Sequence, residues 1–373
     1  MSGTAHGTAP NTDPIPVRAP ARGAGAANTT FAPGDTLGGA HLTRLKLTVT
    51  LGALAMVVMV SAIVAVAFGS VHISLVRAIR EAHSPDRAIF LSVRLPRVLM
   101  GAAVGAALAA VGAALQALVR NPLAEGGILG ISGGGALGAI VALVAVAGHG
   151  GGAFAVPLSA FGAALLSTVM VYRLAVVDGR LEPFTLLLVG VIFNAIWGAA
   201  IMLVNSVVNY YHVHDIVFWL MGSLEAPTYA EVATVAALSV AGLAVLLARA
   251  RDLNLLSLGD EAAGELGVEV DAMRRLVFVA TSVMVAAAVS VSGIISFVGL
   301  IVPHVLRLAF GADHRLLLPA SFLGGAAFLM LADLVARVAT APTELPVGAV
   351  TALCGGPFFI YMLRREGRGP LAL

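Results

Sequence analysis

The chain has 373 residues, of which 59% are hydrophobic and 11% charged, and its net charge is +2. A soluble domain carries charge on about a quarter of its residues, so this composition excludes a water-solvated globule, and the scattered charges give no basis for nucleic-acid binding. The single Cys354 excludes an internal disulfide and a cysteine-only metal site.

Residues 1–43 are rich in Gly, Ala, Pro, Thr and Asn, lack a hydrophobic period, and read as a disordered N-terminal tail. Arg44 and Lys46 then precede an apolar run to Phe68, longer than the roughly 7–15-residue core of a signal peptide, which gives the first membrane span. Further spans are predicted near 96–119, 127–147, 153–172, 184–206, 229–249, 275–292, 294–310, 317–337 and 346–363. No Asp, Glu, Lys or Arg occurs from Gly126 to Tyr172, from Pro183 to His214, or from Leu276 to Leu306. The first and last of these stretches hold two spans each, at about 20 residues a span, separated by Gly148-His149-Gly150-Gly151-Gly152 and by Ser290-Val291-Ser292-Gly293. A barrel would alternate apolar and polar residues over segments of about 10 residues, whereas Ile140 to Ala147 is apolar all round. The expected fold class is therefore all-α: a polytopic membrane protein with about ten transmembrane helices over 44–366 and a short cytoplasmic tail at 367–373.

Ten spans put both termini on one side. Arg44, Lys46, Arg120, Arg173, Arg180, Arg249, Arg251, Arg274, Arg275, Arg315, Arg364, Arg365 and Arg368 then fall on that side, which the positive-inside rule makes cytoplasmic. The loop with Arg77, Arg80, Arg87, Arg94 and Arg97 breaks the rule, because parity puts it outside, and outward arginines suit an acidic partner. Ile73, Val76 and Ile79 in the same loop share a helical face suited to the membrane interface. An arginine, a small-residue span and a proline reversal occur at Arg97 to Pro122 and again at Arg275 to Pro303, the pattern of an inverted repeat.

Several motifs are read as decoys. Gly133, Gly135 and Gly138 match G-x-G-x-x-G without the strand–helix unit of a dinucleotide site, and are better explained by close helix packing. Gly130-Ile131-Ser132-Gly133 spells the nucleophile segment of rhomboid-type proteases, with His304 as nominal base, but no oxyanion hole accompanies it. His212-Val213-His214-Asp215, if extended, would aim alternate side chains one way, yet it is an incomplete metal shell. No G-x-x-x-x-G-K-[ST] loop is present, so ATP-driven work needs another subunit. Between the sixth and seventh spans, Leu258, Ala262, Ala263 and Leu266 form an apolar helical face, Asp260 and Glu261 favour the helix start, and Gly267 ends it. Such a short amphipathic helix is a handle for another protein.

Taken together, Arg94-Leu95-Pro96-Arg97, Gly112-Ala113-Ala114-Leu115-Gln116, Arg120-Asn121-Pro122-Leu123-Ala124-Glu125, Gly130-Ile131-Ser132-Gly133-Gly134, Leu258-Gly259-Asp260-Glu261-Ala262-Ala263 with Leu266-Gly267, Phe297-Val298-Gly299-Leu300-Ile301-Val302-Pro303-His304, Ala332-Asp333-Leu334-Val335-Ala336-Arg337 and Glu344-Leu345-Pro346-Val347-Gly348 resemble, in order, the permease subunits of ABC importers for ferric siderophores, haem and cobalamin. The likeness covers about 45 to 366. It implies the ABC type II importer permease fold and a non-enzymatic subunit in the plasma membrane. The implied partners are a second permease (identical or paralogous), two ATPases that carry ATP and Mg, and an external substrate-binding protein. It implies that the helix at Leu258, Gly259, Asp260, Glu261, Ala262, Ala263, Leu266 and Gly267 couples to the ATPase, and that Arg94, Arg97 and Arg337 meet glutamates of the binding protein. Two departures touch the reversals, which read Glu125-Gly126-Gly127 and Gly293-Ile294-Ile295-Ser296. The expected activity is alternating-access import of an iron(III)-siderophore, with haem or cobalamin as alternative cargo and a secondary transporter, channel or protease as other classes. Pathway residues are expected on the fifth span and its outer loop, Asn194 and Asn205 among them, with no cofactor or metal held by this chain. Free Fe³⁺ would need hard oxygen ligands that the spans do not offer.

Overall fold

The computed structural model describes residues 3, 42–146 and 154–366. The expected N-terminal and C-terminal tails and the glycine turn at 148–152 lie outside the described residues. The helices are α1 (Arg44–Ala67), α2 (Leu75–Arg80), α3 (Pro85–Ile89), α4 (Leu95–Val119), α5 (Ile131–Val146), α6 (Ala155–Ala175), α7 (Pro183–Val207), α8 (Tyr210–Leu220), α9 (Tyr229–Ala248), α10 (Ala250–Leu256), α11 (Asp260–Glu265), α12 (Val270–Ser292), α13 (Val298–Phe310), α14 (His314–Val338) and α15 (Val347–Glu366). One π turn, Phe90–Arg94, joins α3 to α4. The only strands among the described residues are a two-residue hairpin, β1 (Val176–Val177) and β2 (Arg180–Leu181), turned at Asp178 and Gly179 with positive φ.

Seven helical stretches are long and apolar enough to cross a membrane, α3 through α4 counting as one, and residues 131–145, 298–310 and 347–361 are shorter apolar helices. The ten apolar segments of the sequence are thus ten helices, and the all-α, multi-pass architecture holds. Two starts fall four residues later than expected. The third span begins at Ile131 because Gly126–Leu129 is first wound as a 3₁₀ turn that Gly130 ends with φ 76°. The eighth begins at Val298 because Phe297 is left-handed, φ 70°.

Helix α4 is the axis of the fold. It is built mostly of Ala, Gly, Val and Leu and is buried at nearly every position, as expected of a helix apolar all round. Small residues let neighbours approach to backbone contact. A Cβ at Gly105 would stand 2.2 Å from the Gly325 carbonyl oxygen of α14, and one at Gly112 would stand 1.9 Å from that of Gly299 on α13. The glycine run on α5 has the same use: a Cβ at Gly138 would lie 2.4 Å from the Ala163 methyl of α6. By contrast α1, α7 and α9 leave large apolar side chains such as Met59, Met202 and Val240 exposed, surfaces for lipid or another membrane subunit.

Cap chemistry sets the ends. Thr43 accepts from the Lys46 N–H at the start of α1, and Thr228 with Glu231 forms a reciprocal capping box on α9. Asp313 caps α14, and its hydrogen bond from the Arg315 guanidinium holds its carboxyl down at about 2 despite partial burial.

Candidate functional site

Three places carry the chemistry expected from the sequence. The first is the segment from Leu258 to Gly267. Its helix is α11, entered through Gly259 at φ 121° and left through Gly267 at φ 87°. Ala263 is wholly buried, whereas Leu258 and Leu266 stand 69% and 62% exposed. The apolar face is therefore divided: Ala263 anchors the helix, and the two leucines are turned outward. Asp260 fixes it from the other side, accepting from the Arg274 guanidinium of α12 and lying 3.5 Å from Arg120. Arg274 also donates to the Leu181 carbonyl of β2 at 3.0 Å, and Arg120 is the left-handed residue that ends α4. One carboxylate thus ties the helix to the ends of α4 and α12. Beside it, Glu182 caps α7; burial opposes its charge, but the Thr185 N–H prevails and holds the carboxyl below its ordinary value.

The second place is the arginine cluster at the opposite end of α4. Arg97 donates to Asp333 at 3.0 Å and to Glu344 at 2.6 Å, and Arg337 donates to Asp333 at 2.9 Å. Arg337 also donates to the carbonyls of Ala65 and Phe68, and Arg94 to those of Val66, Ala67 and Val71. All three arginines are at most 7% exposed. Their donors engage Asp333, Glu344, the carbonyls that end α1, where cations suit the helix dipole, and for Arg94 also that of Val71, so within this chain the three guanidiniums are turned inward. The outward arginines of this loop are Arg77 and Arg80, on the short helix α2 beside exposed Val76 and Ile79. Of the three residues expected to share a helical face there, Val76 and Ile79 are exposed on α2, while Ile73 precedes the helix.

The third is a cavity of 650 Å³ along α7, lined by Asn194 and Asn205 together with Glu125, Ser132 and Ser296. The sequence reading brought Asn194 and Asn205 to one place but missed Glu125, whose signal was a carboxylate directly after a proline reversal. Glu125 accepts from the Phe297 N–H at 3.0 Å, so the two reversals of the proposed repeat meet here. Asn194 donates its amide to the carbonyls of Gly127 at 2.9 Å and Ile128 at 3.4 Å.

The His212–Asp215 segment is helical in α8, so alternate residues do not share a face and the extended reading fails. The His212 side chain lies outside the described residues; His214 is exposed and packs on Phe218 at 5.4 Å between ring centroids. Among the described residues no group of three or more His, Cys, Asp and Glu is placed to hold a metal ion.

A bundle of ten apolar helices with a short, clamped helix between two spans and a polar cavity along one span defines a multi-pass membrane permease of the ABC-importer type. Residues 54–365 match the FecCD transport family, and the chain belongs to it. It is 48% identical over 284 residues to the cobalamin import system permease protein BtuC of Halobacterium salinarum, covering 74% of each chain. It is 41% identical over 287 residues to the hemin transport system permease protein HmuU of Yersinia pestis, covering 74% of this chain and 84% of the relative. A solved metal-chelate type ABC transporter in an inward-facing conformation superimposes with a TM-score of 0.75 at 30% identity, over 84% of this chain and 98% of that one. These relatives are components of transport systems, and partnership with other ABC subunits goes with membership.

Proposed function

We propose that this chain forms half of the membrane passage of an ATP-driven importer that carries an intact metal chelate inward by alternating access. The cargo belongs to the class of iron(III)-siderophores, haem and cobalamin, the last two being named for the relatives above. The other half is a second permease, identical or paralogous. ATP and Mg sit on two cytoplasmic ATPases, an external protein delivers the cargo, and both termini of this chain are cytoplasmic.

The observation that carries this reading is the mounting of α11. Its outward Leu258 and Leu266 offer apolar anchors to a partner, while Asp260 links the helix to the ends of α4 and α12. A displacement of α11 by the ATPases is thereby passed to the axis of the fold, and from there to the cavity beside α7. Alternating access then needs two arrangements of packed helices, each favoured by one state of the partners. Arg94, Arg97 and Arg337 serve this cycle by fixing the outer ends of α1, α4 and α14, and the binding protein meets the surface around them.

The test is uptake of chelate into proteoliposomes holding the assembled importer. Leu258→Glu with Leu266→Glu should lower ATP-driven uptake at least about tenfold and release the ATPases during purification, since charge at two buried interface anchors costs at least 1.4 kcal/mol. ATP-dependent uptake that survives both changes would sink the coupling role.

A further inference from the structure

We infer that a second cavity, between the C-terminal ends of α4 and α13 and the short helix α10, receives a carboxylate side chain of the ATPase and holds it through Arg307. The inference rests on the reading above that Leu258 and Leu266 meet an ATPase, and adds a charged contact beside them.

This cavity has a volume of 530 Å³, and Leu258 forms part of its wall. Arg307 also lines it, half-buried in the last turn of α13. The buried arginines of the fold are otherwise well met: Arg97 and Arg337 by Asp333, Arg274 by Asp260, and Arg94 by three backbone carbonyls. Arg307 donates to the neutral Gln116 Oε1 at 2.7 Å and has no ion-pair partner among the described residues. The dipole of α13 favours a cation in this turn, but it supplies no acceptor for the guanidinium N–H groups that remain. Those groups cannot be silenced by deprotonation, because a guanidinium stays ionised in a protein.

The carboxylate and amide oxygens of the cavity already have partners, whereas donors are left over. Asp313 has both oxygens engaged by Arg315, and Oδ1 also by Asn254. Asn254 accepts from the His314 N–H at 2.8 Å, and Asn121 from the Leu123 N–H at 2.9 Å. What remains is the amide hydrogens of Asn121 and the unpaired N–H groups of Arg307, with Arg120 alongside, whose ion pair to Asp260 is 3.5 Å long. Guanidinium and amide donors lining one space suit an oxyanion, and the fork of Arg307 matches a carboxylate. The source of that carboxylate follows from Leu258, which is 69% exposed on the wall of the cavity. A protein seated on Leu258 takes water away from Arg307, and a guanidinium buried without a counter-charge would count against the complex. A carboxylate carried by the same protein turns that cost into a charge-assisted contact.

The experiment follows release of the ATPases from the assembled importer in detergent, with the permease immobilised. Arg307→Gln should speed release at least about tenfold, and Arg307→Lys less, since an ammonium keeps the charge without the fork. Arg307→Glu should abolish co-purification of the ATPases. In a charge-reversal scan of the exposed Asp and Glu residues of the ATPase, one change to Arg should then restore it; a folding defect in the permease would not be repaired from another chain. Release unchanged in Arg307→Gln while Leu258→Glu with Leu266→Glu frees the ATPases, or no reversal that rescues Arg307→Glu, overturns the inference and leaves the coupling role of α11 standing. Binding of inorganic phosphate to the permease alone that depends on Arg307, with ATPase release unaffected, overturns it in favour of a free-anion site. ATPases that stay bound through both leucine changes overturn the reading on which the inference rests.

Discussion

Asp333→Asn tests whether the arginine cluster around Asp333 holds the fold together. Asp333 is 1% exposed and gives one carboxylate oxygen to Arg97 and the other to Arg337. The amide keeps the volume but removes the charge, and its nitrogen would face a guanidinium. Arg97 retains Glu344 at 2.6 Å, whereas Arg337 is left with the carbonyls of Ala65 and Phe68. Removing one partner of a buried ion pair costs about 3–5 kcal/mol; with Glu344 retained, the lower end applies, about 3 kcal/mol, or a factor of roughly 150 in the folding equilibrium. The assay is the unfolding midpoint in mixed detergent micelles of the purified permease, followed by the fluorescence of Trp197 and Trp219. Asp333→Asn should lower the midpoint strongly, and adding Arg337→Leu should recover part of the loss, because the double variant no longer buries a second unpaired cation. An unchanged midpoint in Asp333→Asn, with tighter docking of the external protein, would refute the structural role and return the arginines to the surface function expected from the sequence.

The remaining predictions concern packing, capping and charge. Gly112→Leu cannot be accommodated, because even its Cβ would stand 1.9 Å from the Gly299 carbonyl oxygen; α4 and α13 must separate, at a cost of at least about 1–3 kcal/mol, read as loss of monodisperse protein on size exclusion. Thr228→Ala removes half of the α9 capping box and should lower the unfolding midpoint by an amount equivalent to about 1 kcal/mol, with Thr228→Ser retaining most of it. The carboxyl of Asp313 sits at about 2, below its ordinary 3.8, so its stabilising contribution is complete above 3.8 and is lost as pH falls toward 2. The difference in midpoint between wild type and Asp313→Ala should therefore be the same at pH 7 and pH 5; a difference that shrinks between those values would contradict the assignment.

What could be read from the sequence was whatever repeats locally. Uninterrupted apolar runs fixed the ten helices, and the order Asp260, Glu261, then Gly267 marked both ends of α11. Asn194 and Asn205, which line one cavity, stood out as polar side chains on a span otherwise free of charge. What escaped depends on partners distant in the chain. Arg97 finds Asp333 and Glu344 more than 200 positions away, so nothing near Arg97 announces that its charge is turned inward. The same holds for the His212–Asp215 segment: polar residues after a span read as loop, while the apolar Ile216, Val217, Phe218 and Leu220 that follow continue them into α8.

The two reversals explain why a chain so poor in charge keeps a carboxylate in its interior. Each reversal breaks a helix and frees backbone N–H and C=O groups, which are costly to leave unpaired at membrane depth. Asn194 takes up the freed carbonyls of Gly127 and Ile128 in the first, and Glu125 takes up the freed N–H of Phe297 at the start of α13 in the second. Gln116 extends the pattern, donating to the Gly299 carbonyl at 3.2 Å and accepting from Arg307 at 2.7 Å toward the C-terminal end of α13. The polar groups of the interior are thus arranged as a connected line from the cavity to the end of the bundle where α11 is clamped. A rearrangement that parted Glu125 from Phe297 would leave a buried N–H and a buried carboxyl oxygen unpaired together, so the cavity and the α13 start are bound to change as a unit.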